Sequence, residues 1–170
     1  MKDRIQKHSL VLSLLLVIAV MVMIYCFSAQ TGEESGAMSG RITRWVLSLV
    51  VPGFEDMPAS EQEDLREIAG LVVRKLAHFS EYALLGLTLL LHIAQIQKKT
   101  AVRLPLLWAW GVGTLYAASD EFHQGFVADR GPSVVDVLID SSGVIAGVLL
   151  MAWLLYRRKR EEKIAFCRKL

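Results

Sequence analysis

The residues of this 170-residue chain that could do chemistry are gathered in a few short stretches. R-K-L-A-H-F-S-E-Y supplies Lys75, His78, Glu81 and Tyr82. Positions 75, 78 and 82 are three and four apart, so on a helix they share one face, with Glu81 beside it. S-D-E-F-H-Q supplies Asp120, Glu121, His123 and Gln124, and the stretch after it adds Asp129 and Arg130. Asp136 and Asp140 then stand at i and i+4 on one helix face. Lys75 and Arg130 could meet an anionic head group, while His78, Glu121, Asp136 and Asp140 set protonation and hydrogen bonds. His78 and Glu121 are the candidates for acid–base catalysis. The imidazoles and carboxylates could ligate a metal, but neither H-E-x-x-H nor E-x-x-H occurs, and H-x-x-E at 78–81 is weak by itself. No metal and no other cofactor is expected. No serine or cysteine has an evident base beside it, and phosphate-binding glycine loops are missing.

The elements that must hold these groups are apolar. Apolar side chains make up 54% of the chain and charged ones 21%, with a mean hydropathy of +0.41. The apolar share exceeds the roughly 45–50% of soluble domains, in which glycine is also counted. The net charge of +2 gives no overall polyelectrolyte character, so no nucleic-acid partner is expected. Cys26 and Cys167 are too few for a disulfide framework or a thiolate metal site. The apolar residues fall into runs at about 9–27, 76–96, 104–119 and 134–156. The first is uncharged, about 28 Å long as a helix, and close to a bilayer core in span. It exceeds a usual signal-peptide core and no clean cleavage site follows, so a retained transmembrane helix is expected.

Basic residues set the expected orientation. The N-terminus, the 98–103 connection and the tail after Tyr156 hold 13 lysines and arginines; the other connections hold six. Four spans with both termini in the cytoplasm satisfy this bias. The outer segment 28–75 is expected to carry two helices. One, about 41–51, places Ile42, Trp45, Val46, Leu49 and Val50 on an apolar face opposite Arg41, Thr43, Arg44 and Ser48, as for a helix lying in the membrane interface. Pro52-Gly53 ends it. The other, about 60–75, opens on an S-x-x-E capping box of Ser60 and Glu63, carries Leu65, Ile68, Ala69 and Val72 on one face, and runs into the second span. The fold expected is therefore an all-α integral membrane protein, a bundle of four transmembrane helices with an extra interfacial helix.

Polar residues collect at the outer ends of spans two to four. An ionised carboxylate near a bilayer centre costs about 2.5–3.5 kcal/mol even on a forgiving scale. Asp140 and Glu81 are too short to snorkel, so they should face the bundle interior with a partner among Lys75, Arg130 and protonated His78. Two plainer readings stand beside a functional pocket: head-group-level charges for Lys75, Asp120 and Asp129, and an ion-pair network that only holds the bundle together. Gly143 and Gly147 form G-x-x-x-G and let a helix approach closely, in this chain or in an oligomer. Gly86, Gly111 and Gly113 read the same way. The R-K-R-rich tail reads as a stop-transfer flank.

The ordered set K-x-x-H-F-x-E-Y-x-x-L-G (75–86), D-E-F-H-Q (120–124), R-x-x-x-x-x-D (130–136) and D-x-x-G-x-x-x-G (140–147) resembles the VanZ-like membrane protein family. F-S-A-Q-T-G-E-E-S (27–35) resembles that family's stretch after its first span. The resemblance covers about 22–153. It implies a small multi-pass protein of the bacterial cytoplasmic membrane, in a family named for resistance to teicoplanin-type glycopeptides. It places the family's characteristic residues on Lys75, His78, Tyr82, Glu121, Gln124, Arg130, Asp136 and Asp140. Where many relatives carry Asn, this chain has Asp140, which adds a possible charge.

The expected ligand site is Lys75, His78, Glu81, Tyr82, Asp120, Glu121, Gln124, Arg130, Asp136 and Asp140. Three functions compete. The first is binding of an amphiphile from the outer leaflet: a membrane lipid, a lipid-linked wall precursor or a lipoglycopeptide. The second is an enzyme acting on such a lipid through His78 and Glu121. The third is a proton-coupled carrier, which needs polar residues throughout the bilayer, where the inner half offers His92 and Gln95.

Overall fold

The computed structural model describes residues 2–97 and 104–167, and these are helical with no strand among them. The elements are α1 (Lys2–Ser28), α2 (Gly32–Val50), a 3-10 turn (Phe54–Asp56), α3 (Ala59–Ile96), α4 (Pro105–Gln124) and α5 (Val134–Cys167). Lys98, Lys99, Arg103, Arg168 and Lys169 of the charge count lie outside the described residues, as does the side chain of Lys2.

Three helices are long and apolar enough to cross a membrane: α1 from Gln6, α3 and α5. In α1 the stripe Ser13, Val17, Val20, Ile24 and Ser28 is buried, while Val11, Leu12, Leu15, Ile18 and Val22 are exposed. A helix apolar all round with one narrow packed stripe belongs in lipid rather than water. The expected third span, α4, is a 20-residue helix ending in the polar D-E-F-H-Q, and it does not meet the same measure. It packs against α5 and α3 through Ala109, Gly113 and Ala117, all buried, and leaves Trp108, Leu115 and Phe122 exposed. Pro105 opens it at a position where a missing N–H costs nothing.

The most extensive contact is between α3 and α5, which run parallel: Lys75 meets Asp136, Phe79 meets Gly143 and Ala83 meets Gly147. A Cβ on Gly143 or Gly147 would strike a backbone carbonyl of α3, and one on Gly86 would strike that of Val144. The G-x-x-x-G pair is thus used inside the chain. Gly113 abuts Val144, where a Cβ would lie 2.7 Å from its methyl carbon, but Gly111 has open space and no packing role. Trp110 Nε1 donates to Ser141 Oγ at 3.0 Å, and Thr114 bonds the same oxygen at 2.9 Å, fixing α4 to α5. Ser13 of α1 bonds His92 of α3 at 2.9 Å near the opposite end.

The outer segment departs from its expected boundaries. α2 starts nine residues before 41, because Thr31 and Glu34 form a reciprocal capping box that launches it. Gly32 lies against the backbone of Asp129, and its N–H donates to Ala128 O at 3.1 Å, so α2 is tied to the α4–α5 connection. Gly53, at φ 73°, supplies the left-handed turn that ends the segment. The Ser60–Glu63 capping box does not form. α3 begins at Ala59, which draws Ser60 inside the first turn, and Glu63 turns to Arg66 at 3.4 Å. As expected, α3 continues unbroken through the apolar run. Thr43, assigned to the polar face of α2, is buried with Leu47 against α3, beside Gly70. Ile42, Trp45, Leu49 and Val50 are exposed instead. Ile68 and Val72 are likewise exposed. α5 runs past 156 to Cys167, carried by Arg157–Glu161 and Arg158–Glu162 pairs at i, i+4.

Candidate functional site

The middle of α3, the C-terminal end of α4 and the start of α5 meet in one part of the bundle. Lys75 Nζ donates to Asp136 Oδ1 at 2.5 Å, both side chains partly exposed. One turn deeper on both helices, His78 Nδ1 lies 3.7 Å from Asp140 Oδ1. That is too long for a hydrogen bond. The i, i+3/i+4 spacing on α3 and the i, i+4 spacing on α5 therefore form two rungs of one ladder, as their shared faces imply. Glu81 is half-buried beside His78.

Beyond the ladder the groups are closed off from the surface. Tyr82, Asp120, Glu121, Gln124 and Asp140 are all buried. Gln124 Nε2 donates to Asp120 Oδ2 at 3.2 Å, one helical turn away. Glu121 Oε2 accepts from the backbone N–H of Ser133 at 2.8 Å, and Ser133 Oγ in turn accepts from the N–H of Asp136 at 3.2 Å. Ser133 thus caps α5 and anchors Glu121. Its place in P-S-V-V-D, just ahead of the apolar run, is the N-cap signal by which the sequence could have shown it. The Tyr82 and Tyr116 rings are 6.3 Å apart, and Tyr116 donates to Met21 O of α1 at 2.7 Å.

Among the described residues, several buried atoms make no hydrogen bond of good geometry: Tyr82 Oη, Glu121 Oε1, both carboxylate oxygens of Asp140, and His78 Nδ1, which faces Asp140 only at 3.7 Å. Each such atom costs about 1–3 kcal/mol when left unsatisfied, so five within one recess need a reason beyond packing. The recess offers acceptors in excess of donors. It suits hydroxyl and amine hydrogens, and its paired acid and imidazole can exchange a proton with whatever they contact.

Arg130 takes a different place from the one expected. It is not the partner of Asp140; its Nη2 reaches Phe27 O of α1 at 3.5 Å. Its guanidinium is held below its ordinary value, first by burial and then by the like charge of Arg74. Asp129 is exposed and occupies the left-handed region at φ 58°. Nearby, His123 stacks with Tyr25 of α1 at 4.9 Å, and its Nδ1 is buried without a partner.

An all-helical chain of membrane character, with an acid–imidazole–phenol recess walled by three helices, is the class that this fold and geometry define. A family model described as VanZ/LLP1 matches residues 13–156, and the chain belongs to that family. No curated protein and no solved structure matches it.

Proposed function

We infer that this chain is a multi-pass protein of the bacterial cytoplasmic membrane, with four spans and both termini in the cytoplasm. It contributes to resistance against glycopeptides of the teicoplanin type by holding an amphiphilic or lipid-linked ligand at its outer polar recess. Family membership supports a resistance role at most. The ligand reading rests on one observation, the unpartnered atoms of Tyr82, His78, Glu121 and Asp140 in a single buried recess. Lys75 at its rim and Arg130 beside it supply positive charge to an anionic head group, and the recess supplies acceptors to the hydroxyl groups that follow it. In this topology α4 crosses as the third span, alongside α1, α3 and α5.

The test is a deletion strain scored for teicoplanin susceptibility alongside its lipids and lipid-linked wall precursors. The binding reading expects higher susceptibility with an unchanged precursor profile. Complementation by Arg130→Ala or Asp136→Ala is expected to fail although both variants insert normally. Wild-type resistance from both, at normal expression, removes the recess from the explanation. The second reading is an enzyme. It is favoured by the nearness of His78 to Asp140, which brings an imidazole able to act as a base within 3.7 Å of a buried acid. A changed precursor profile in the deletion strain selects it.

A further inference from the structure

A second recess lies on the other side of α3, between α2 and α3. It is a groove of about 570 Å³, within the range of ligand sites. Arg41 and Arg44 of α2 and Arg66 and Arg74 of α3 line it, with Gly36, Gly40 and Gly70 giving backbone-level access. Two of the four charges are matched within the chain. Arg44 holds Glu55 at 2.8 Å, and Arg66 holds Glu63 at 3.4 Å while lying over the Phe54 ring at 5.7 Å. Arg41 and Arg74 have no ion pair among the described residues, and Glu67 is the remaining acid in the lining. One positive charge is left over, the complement of a phosphodiester monoanion. The Nε of Arg66 is buried and has no hydrogen-bond partner. Guanidinium groups converging on one concave surface form the donor set that binds phosphate oxygens in parallel pairs.

We propose that this groove is a phosphodiester site, with Arg41 and Arg74 as its free guanidinium groups and a lipid head group as the source of the phosphate. The apolar surroundings argue for a lipid: Leu71 lines the groove and is exposed, and the two helices that wall it expose Trp45, Leu49, Ile68 and Val72 on their other faces, as helices lying in a membrane interface do. None of the groove's residues belongs to the recess of Tyr82 and Asp140, so either site can fail without the other.

The test uses the full chain in nanodiscs of phosphatidylcholine with and without phosphatidylglycerol, and counts retained lipid by native mass spectrometry. A parallel titration in uncharged detergent uses glycerophosphoglycerol, the deacylated phosphodiester head group, as the soluble probe. Wild type is expected to retain phosphatidylglycerol preferentially. The Arg41→Gln/Arg74→Gln pair is expected to weaken that retention about tenfold or more, the loss of two charge-assisted contacts. Arg44→Gln, whose charge Glu55 already matches, reduces it less, and Gly111→Ala, in open space on α4, leaves it unchanged. Glu67→Gln strengthens it. Arginine-dependent binding of glycerophosphoglycerol without any lipid preference overturns the lipid source. Equal retention by wild type and the double variant, with both folded by thermal melt, overturns the site.

Discussion

α3 carries two recesses of opposite character within five turns. Along 63–74 it faces α2 across an open groove in which arginines outnumber acids. Along 75–82 it faces α4 and α5 across a closed recess in which carboxylates outnumber bases. In the open groove, water and salt screen the unmatched charge, so the imbalance is tolerated cheaply. In the closed recess the acceptors are buried, and Glu121 Oε1 and the Asp140 carboxylate find no hydrogen-bond donor among the described residues. The same residue types therefore mean different things on the two sides: surplus charge in the groove points to an anion that visits, and orphaned atoms in the recess point to groups that must be supplied.

The largest expected effect tests what keeps the recess closed. Gly147→Leu puts side chain into the Ala83 carbonyl of α3, and the parallel seam under the recess cannot form. Overpacking of this kind costs about 3 kcal/mol or more. The folded, monodisperse species in detergent should be lost. Gly111→Leu, in open space, should melt like wild type. Similar melting of both variants would break the distinction between a rigid closed recess and an adaptable one.

The sign of the next effect separates a ligand site from a structural network. Tyr82 Oη is buried without a partner, so Tyr82→Phe should leave stability unchanged or raise it by about 1 kcal/mol. Resistance should fall in the same variant. A clear loss of melting temperature would mean that the hydroxyl is bonded within the bundle, and the recess would then be scaffolding.

How much of this was legible in the sequence follows from the kind of force involved. The two rungs of the ladder were legible because helical spacing alone fixes which of residues 75, 78, 82, 136 and 140 share a face. The continuity of α3 was legible for the same reason. The partner of Asp140 was not, since charge complementarity fitted Lys75, Arg130 and His78 equally and only the register of α3 on α5 selects His78. The start of α2 was misplaced because its apolar stripe begins at Ile42, whereas the signal that starts the helix is polar, at Thr31 and Glu34. The arginine groove was invisible as a site: Arg41 and Arg44 lie more than 20 positions from Arg66 and Arg74, and only the α2–α3 turn brings them together.

A smaller effect is expected at the rim of the recess. Lys75 and Asp136 touch, but Lys75 is nearly half exposed, which brings solvent into the pair. A double-mutant cycle with Lys75→Met and Asp136→Asn should give a coupling of about 0.5–1 kcal/mol in stability. A coupling several times larger would place the pair inside the closed recess rather than at its edge.

The smallest effect belongs to the open side. Arg44 and Glu55 are both more than half exposed, and the guanidinium bond holds the Glu55 carboxyl below its ordinary value of 4.5. A group whose folded value is depressed stabilises the fold above its unfolded value and loses that contribution as pH falls through the folded one. The link between α2 and the 3-10 turn should therefore be insensitive to pH from neutral down to about 4.5 and loosen only below it. Amide exchange at 52–58 in wild type and Glu55→Gln measures this: the two should differ at neutral pH and converge in acid. Convergence is the expected signature because protonated Glu55 and glutamine both lack the charge that Arg44 holds. A difference that persisted in acid would show that carboxylate charge is not what fastens the turn, and Arg44 would then count as a further free cation in the groove.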